Sequence, residues 1–320
     1  MTVAAPRDRW SIVLSGGEGE RLRPWVERLY GQARPKQYCA FLGGRSMLDH
    51  TLARAAAASG AERIITVIGA GHSRYLAQSG ASLPGRVIEQ PVNRDTAAGI
   101  LLPLTYVMAE NPAATVGIFP SDHYIAPNAR FMAHVERAYL LAQRLRNMIV
   151  LLGAVPDGPE PDYGWIEPEY ELRTGAGPGV RLVRSFREKP APAKAAMFHR
   201  DGYLWNTFIM FAKAEALWTL IGEMLPELRA QFDDLLRVVG TGSERDVLTR
   251  IYGTMRPANF STRILETCAD RTLVVTLEGV DWSDWGRPKR IEETFLREGR
   301  SLPKVPAVEP AVSAMNAAGT

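Results

Sequence analysis

Short apolar runs, most of them rich in β-branched residues, recur at Trp10–Leu14, Ile64–Ile68, Val116–Phe119, Ile149–Leu152, Val180–Phe186, Phe208–Phe211 and Leu273–Leu277. Helical patterns lie between the early ones. Residues 46–59 place Leu48, Leu52 and Ala55 or Ala56 on one face, and residues 128–146 do the same with Phe131, Val135, Ala138 and Leu141 or Ala142. Strands alternating with helices rejoin one sheet by crossovers, so the spacing predicts an α/β fold: a mixed, mostly parallel sheet with helices on both faces. The later half is less regular. A β-rich stretch near residues 162–186 and helices near 214–238 and 245–251 read as an elaboration covering one side of a cleft. We expect one folded unit over residues 8–300, with halves of about 8–150 and 151–300, then a flexible Pro/Ala/Val-rich tail over 301–320.

Charge and cysteine content narrow the functional classes. The 320 residues hold 38 Lys+Arg against 35 Asp+Glu, a net charge of +3. A nucleic-acid-coating protein of this size concentrates a far larger excess, so no nucleic-acid partner is expected. Hydrophobic residues at 46% and charged residues at 23% are the proportions of a folded chain, which excludes disorder throughout. The longest apolar stretches, such as residues 148–155, fall far short of the roughly 20 residues that span a bilayer. The first ten residues contain no apolar core of signal-peptide length. Cys39 and Cys268 supply neither a disulfide framework nor a repeated C-x-x-C spacing. These features lead us to expect a cytoplasmic protein without a membrane partner, and they are compatible with a homo-oligomer.

The first apolar run passes through Ser15 into Gly16-Gly17-Glu18-Gly19-Glu20-Arg21. Glycines after a strand let backbone N–H groups approach an anion that Cβ atoms would hold off. A plain chain turn would account for them equally well. The basic flank favours phosphate: Arg21 can grip two oxygens at once, and Pro35 fixes Lys36 in a stiff segment as a point charge, adding charge and little packing. No Gly-Lys-Ser/Thr closes the loop and no G-x-G-x-x-G is present, so P-loop hydrolysis and dinucleotide binding lose support. Asp122 stands where the 116–119 run ends, at the sheet edge where α/β proteins bind ligands, and Asp284 lies in a Trp-flanked loop. Mg²⁺ needs one or two carboxylates beside phosphate oxygens and water, so this pair suffices if the fold unites it. Read alone, a turn aspartate and a helix cap explain them as well.

Ser15-Gly16-Gly17-Glu18-Gly19-Glu20-Arg21-Leu22-Arg23-Pro24 followed by Arg34-Pro35-Lys36-Gln37 resembles the signature of the nucleotide-sugar pyrophosphorylases. Its Lys-Gln ending is similar to that of the mannose-1-phosphate guanylyltransferases among them. The resemblance continues in order to about Arg290, through residues 89–98, Phe119-Pro120-Ser121-Asp122-His123, Tyr163-Gly164-Trp165-Ile166, Phe186-Arg187-Glu188-Lys189-Pro190, Leu204-Trp205-Asn206-Thr207 and Trp282-Ser283-Asp284-Trp285-Gly286. It implies a Rossmann-like fold of the nucleotide-diphospho-sugar transferase type, with an NTP-binding half and a sugar-phosphate-binding half. The implied substrates are GTP and a sugar 1-phosphate, and the implied cofactor is Mg²⁺ on Asp122 and Asp284. Arg21, Lys36 and Lys189 would be catalytic. Ser15, Gly16, Gly17, Gly19, Glu89, Arg94, Asp95 and Thr96 would bind the nucleotide, and Gly164, Glu188, Lys189 and Asn206 the sugar phosphate. Glu89 is the nearest acceptor in its segment for the N1–H and N2–H₂ donors of guanine, although a surface glutamate reads equally well. His123 reads as structural.

The chain departs from the family pattern where substrates are selected. Asp95 replaces Asn, Ala98 replaces Pro, Ser261 replaces Asp, and Gly286-Arg287-Pro288 replaces Gly-Ser-Trp. The implied reaction is guanylyl transfer from GTP to mannose 1-phosphate. Its alternatives are the same chemistry on another sugar phosphate or nucleotide, or a non-catalytic paralogue that binds nucleotide sugar and regulates a partner.

Overall fold

The computed structural model describes residues 8–79, 83–172 and 178–302. β1 (Arg9–Ser15) leads through the glycine loop into α1 (Arg23–Tyr30). Then come α2 (Met47–Ser59), β2 (Ile64–Ile68), α3 (Ser73–Ser79), β3 (Arg86–Glu89), α4 (Asp95–Glu110), β4 (Thr115–Pro120), β5 (Tyr124–Ala126), α5 (Asn128–Arg144) and β6 (Ile149–Ala154). The later half adds β7 (Gly164–Glu171), β8 (Val180–Glu188), α6 (Pro192–Arg200), β9 (Leu204–Lys213), α7 (Ala214–Met224), α8 (Pro226–Val238) and α9 (Glu244–Thr254). β10 (Thr272–Thr276), β11 (Asp281–Ser283) and α10 (Pro288–Arg297) follow.

Nine strands form one sheet in the order β3-β2-β1-β4-β9-β6-β10-β8-β7, while β5 and β11 pair separately. β1 is parallel to β2 and β4, β2 to β3, and β6 to β10. β9 runs against β4, β6 and β7, and β8 against β10 and β7, giving the mixed, mostly parallel sheet that the alternation predicts. The reversed β9 comes from the later half yet lies between β4 and β6, so a single sheet runs through both halves.

Alternate residues of a strand face opposite sides. Ile12 of β1 accordingly joins the core that contains Leu101 and Leu104 of α4, and Val13 joins the one that contains Leu48 and Leu52 of α2. The predicted faces of α2 and α5 are both buried. Ser46 starts α2 with a capping box: its Oγ accepts from the Asp49 N–H at 3.1 Å, and the Asp49 carboxylate accepts from the Ser46 N–H at 2.9 Å.

Two helical features escape the periodicity. α4 is buried at every position from Ala97 to Val107, because it lies between the sheet and α7 and α8. A helix apolar all round has no polar face to reveal its period. The pattern over residues 214–238 is two helices, broken where Pro226 opens α8 and cannot continue the hydrogen bonding of α7. Among the described residues no helix is long and apolar enough to cross a membrane. The predicted tail lies outside the described residues from position 303 onward.

β1 sits between β2 and β4, a topological switch point, and crevices in such sheets open at the carboxyl ends of the strands. β1 ends at Ser15 and β4 at Pro120, so the glycine loop and Asp122 share that edge.

Candidate active site

Two loop glycines have specific steric duties. A Cβ on Gly16 would stand 2.5 Å from Gln90 Nε2, and Gly19 has φ +64°, where its Cβ would meet the Lys36 backbone nitrogen at 3.2 Å. Nothing lies within 4 Å of a Cβ placed on Gly17, which leaves open space on the cleft side. The side-chain amide of Gln37 donates to the carbonyls of Ser15 at 3.1 Å and Gly17 at 2.8 Å, bracing the loop from behind.

Lys36 departs from the sequence expectation of a charge with little packing. It is 5% exposed, and its Nζ lies 3.0 Å from Asp122 Oδ2 while donating to the carbonyls of Asp284 and, at 3.3 Å, Trp285. One buried cation thus joins the flank of the glycine loop, the end of β4 and the loop before α10. Burial works to raise the Asp122 carboxyl, but the Lys36 ammonium and His123 overcome it and hold the group below the usual carboxylate range. Burial also lowers His123 against the opposing pull of Asp122. The Trp282 indole N–H donates to His123 Nδ1 at 3.2 Å, leaving the neutral ring's proton on Nε2 and suiting a structural part.

Arg21 crosses the cleft. Its Nη1 donates to Asp162 Oδ2 at 3.1 Å and its Nη2 lies 3.8 Å from Asp284 Oδ2. Asp284 Oδ1 accepts from the Tyr163 hydroxyl and the Gly286 N–H, both at 2.7 Å. Asp162 also receives Arg287, the residue that replaces the family's Ser.

Beside Asp284 a cavity of about 190 Å³ collects Gly164, Glu188, Lys189 and Asn206, all four of the predicted sugar-phosphate residues. A Cβ on Gly164 would stand 2.7 Å from Glu188 Oε2 and 2.9 Å from Phe186 Cζ, so the close backbone approach there requires glycine. Burial raises the Glu188 carboxyl, with Lys189 Nζ at 3.5 Å pulling the other way. Asn206 Oδ1 accepts from the Phe208 N–H at 3.1 Å.

A larger cavity of about 540 Å³ opens between the glycine loop and the N-terminus of α4, and Asp95 and Thr96 line it together with Gly16, Gly17 and Gly19. The two cavities share Thr96 and Phe208, and Asp122 lines the larger. Ser15 is buried behind the loop. Two predicted nucleotide residues lie elsewhere. Glu89 Oε1 accepts from the Gly71 N–H at 2.8 Å and lines a separate depression with Ser73 and Val87. Arg94 donates twice to the Tyr252 carbonyl, at 2.9 and 2.8 Å, tying α4 to α9. Next to Glu89 in the chain, Gln90 is 5% exposed and does line the larger cavity, as does Asn93, whose Oδ1 accepts from the Asp95 N–H at 2.9 Å. The alternation of a strand is the signal that separates Glu89 from Gln90, and it is weak because β3 is a short strand at the sheet edge.

Backbone strain gathers at the same cleft. Among the described residues the non-glycine positions with positive φ are Asp95, Lys189, Phe208 and Trp285. The first three line the cavities and the fourth follows Asp284. Such conformations cost about 1–3 kcal/mol each and persist where the surrounding structure holds them.

A divalent cation fits the donor set. Asp284 Oδ1 is satisfied by two hydrogen bonds, whereas Oδ2 faces Arg21 at more than hydrogen-bonding distance. Asp122 Oδ1 lies 3.7 Å from His123 Nε2, also outside hydrogen-bonding distance. Among the described residues no cluster of three or more His, Cys, Asp or Glu forms a metal site, and two hard carboxylate donors match a cation that takes its remaining ligands from phosphate and water.

A nucleotidyl transferase family model matches residues 10–299. The xanthan biosynthesis protein XanB of Xanthomonas campestris pv. campestris strain B100 is 30% identical over 299 residues, which cover 90% of this chain and 60% of that protein. A mannose-1-phosphate guanylyltransferase of Escherichia coli is 25% identical over 294 residues, with the same coverage of 90% and 60%. The chain therefore spans about three fifths of the length of these relatives. The crystal structure described as mannose-1-phosphate geranyltransferase from Thermus thermophilus superposes with a TM-score of 0.76 at 26% identity, covering 90% of this chain and 79% of that one. With its glycine loop at the end of β1 and two adjoining cavities beside it, the chain belongs to the nucleotidyl transferase family.

Proposed function

We propose that the protein transfers a guanylyl group from GTP to mannose 1-phosphate, giving GDP-mannose and pyrophosphate with Mg²⁺ as cofactor. The buried Lys36, paired with the half-buried Asp122 at the switch point, carries this reading, together with the glycine-lined cavity and the cavity of Glu188, Lys189 and Asn206. The choice of guanine and mannose draws its support from the names of the relatives.

The sugar phosphate is already an anion near neutral pH, so the attack needs no general base. One of its oxygens displaces pyrophosphate in line at the α-phosphorus: the new P–O bond forms as the bond to the β-phosphate bridge breaks, and the electron pair leaves with pyrophosphate. The obstacle is charge repulsion and alignment, which cationic side chains and backbone N–H groups overcome by positioning. The amides of Gly16, Gly17 and Gly19 and the Arg21 guanidinium hold the triphosphate. Lys36, fixed by Asp122 and two carbonyls, offsets charge at the α-phosphate. Lys189 receives the sugar phosphate, while Glu188, Asn206 and the Gly164 backbone contact the sugar. Asp95 and Thr96 border the ribose and base. Asp122 and Asp284 would hold Mg²⁺, which supplies charge neutralisation across the phosphates.

Incubation with GTP, Mg²⁺ and mannose 1-phosphate should yield GDP-mannose and pyrophosphate in equal amounts, and chelation should stop it. Labelled pyrophosphate should not exchange into GTP when sugar phosphate is left out, because no covalent guanylyl intermediate forms. Exchange under those conditions would overturn the direct displacement.

A further inference from the structure

We propose that Tyr163 is a positioning residue for the transfer site, an inference that rests on Asp284 being a metal-holding carboxylate. Its hydroxyl donates to Asp284 Oδ1 at 2.7 Å. The Gly286 N–H donates to the same oxygen, so Oδ1 is held twice and the rotation of the carboxylate is fixed with Oδ2 left for a ligand. The Tyr163 carbonyl accepts from the Lys189 N–H at 3.1 Å, and Lys189 has φ +44°, a conformation that surrounding contacts must hold. Tyr163 itself has little freedom. It is 5% exposed and meets Trp205 and Trp282 edge-on at ring-centroid distances of 4.8 and 5.3 Å, with the Arg290 guanidinium 5.8 Å from its ring centroid. One buried residue therefore orients Asp284 through its side chain and Lys189 through its backbone.

Tyr163→Phe deletes the hydroxyl and keeps both the ring and the carbonyl. Removing a hydrogen-bonding partner of a metal ligand typically weakens metal binding about 10–100-fold. Mn²⁺ binding in the presence of GTP, read from the paramagnetic resonance of free Mn²⁺, should weaken by about tenfold or more. The Mg²⁺ concentration for half-maximal turnover should rise in parallel, while the KM for mannose 1-phosphate stays within about twofold because the Lys189 tether remains. On an Asp284→Asn background, Tyr163→Phe should cost almost nothing further, since the hydroxyl acts through that carboxylate. Equal Mn²⁺ affinity in the variant and the wild type overturns the proposal, even in an active enzyme. Additive losses in the double variant overturn it too. A wild type that binds Mn²⁺ with GTP but transfers nothing to any sugar 1-phosphate overturns the functional reading instead, and the Mn²⁺ comparison still decides the part of Tyr163.

Discussion

Replacing Lys36 with methionine keeps most of the side-chain volume and removes the cation. The Lys36 side chain is 6% exposed and donates to the carbonyls of Asp284 and Trp285. A buried acceptor left unpaired costs about 1–3 kcal/mol, so two of them, partly relieved by entering water, should destabilise the fold by about 2–4 kcal/mol. Asp122, whose side chain is 36% exposed, can rehydrate and adds little to that sum. At about 2 °C per kcal/mol for a chain of this size, Tm should fall by about 4–8 °C. The catalytic loss is separate. A fixed donor aimed at developing phosphate charge is worth about 3–4 kcal/mol, so kcat should fall about 10²–10³-fold. Lys36→Arg should not restore it, since a planar guanidinium cannot take the place of a compact ammonium among these oxygens. Pyrophosphate release under saturating substrates and thermal unfolding monitored by circular dichroism read the two effects independently. A kcat within about tenfold of the wild type would refute the placement of Lys36 at the reacting phosphate. An unchanged Tm would refute its account as a buried structural cation.

Gly164→Ala drives a Cβ to 2.9 Å from the ring of Phe186, which is 1% exposed and cannot yield, so overpacking of about 1–3 kcal/mol should accompany a rise in KM for the sugar phosphate but not for GTP; initial rates with each substrate varied in turn decide it. Burial raises the Glu188 carboxyl in the folded protein, so the stability linked to its protonation is complete below the unfolded value of about 4.3 and is lost as pH rises through the higher folded one. Glu188→Gln should therefore gain in Tm relative to the wild type between about pH 4 and about pH 7, and a difference that stays constant across that range counts against it. Glu89 lies outside the larger cavity, so Glu89→Gln should leave the ratio of kcat/KM for GTP and ATP within about twofold; a collapsed ratio would return Glu89 to the base site.

The parts of this molecule legible in the sequence are those written in short-range pattern. β1 and β2 follow from apolar runs and α2 from its apolar period, while the glycine loop, Asp122 and the Glu188–Lys189 pair follow from motifs at strand ends and Lys36 from the stiff segment after Pro35. What escaped depends on burial and long-range contact. α4 lost its period by being covered on all sides, and Glu89 ends a short edge strand facing outward while Gln90, the residue after it, turns inward. The burial of Lys36 follows from the loop before α10, some 248 residues later in the chain, whose carbonyls close over it. Tyr163 reads as one aromatic of a motif until the fold brings Asp284 to its hydroxyl.

Guanylyl transfer to a sugar 1-phosphate is decided by a matrix of kcat/KM values. Each nucleoside triphosphate is paired with each of a panel of sugar 1-phosphates in the presence of Mg²⁺, and pyrophosphate release is followed. The highest value should fall on GTP with mannose 1-phosphate, and no pyrophosphate should appear with a nucleotide alone. A maximum on another nucleotide would contradict the guanylyl assignment, and release from no pair at all would contradict the enzyme.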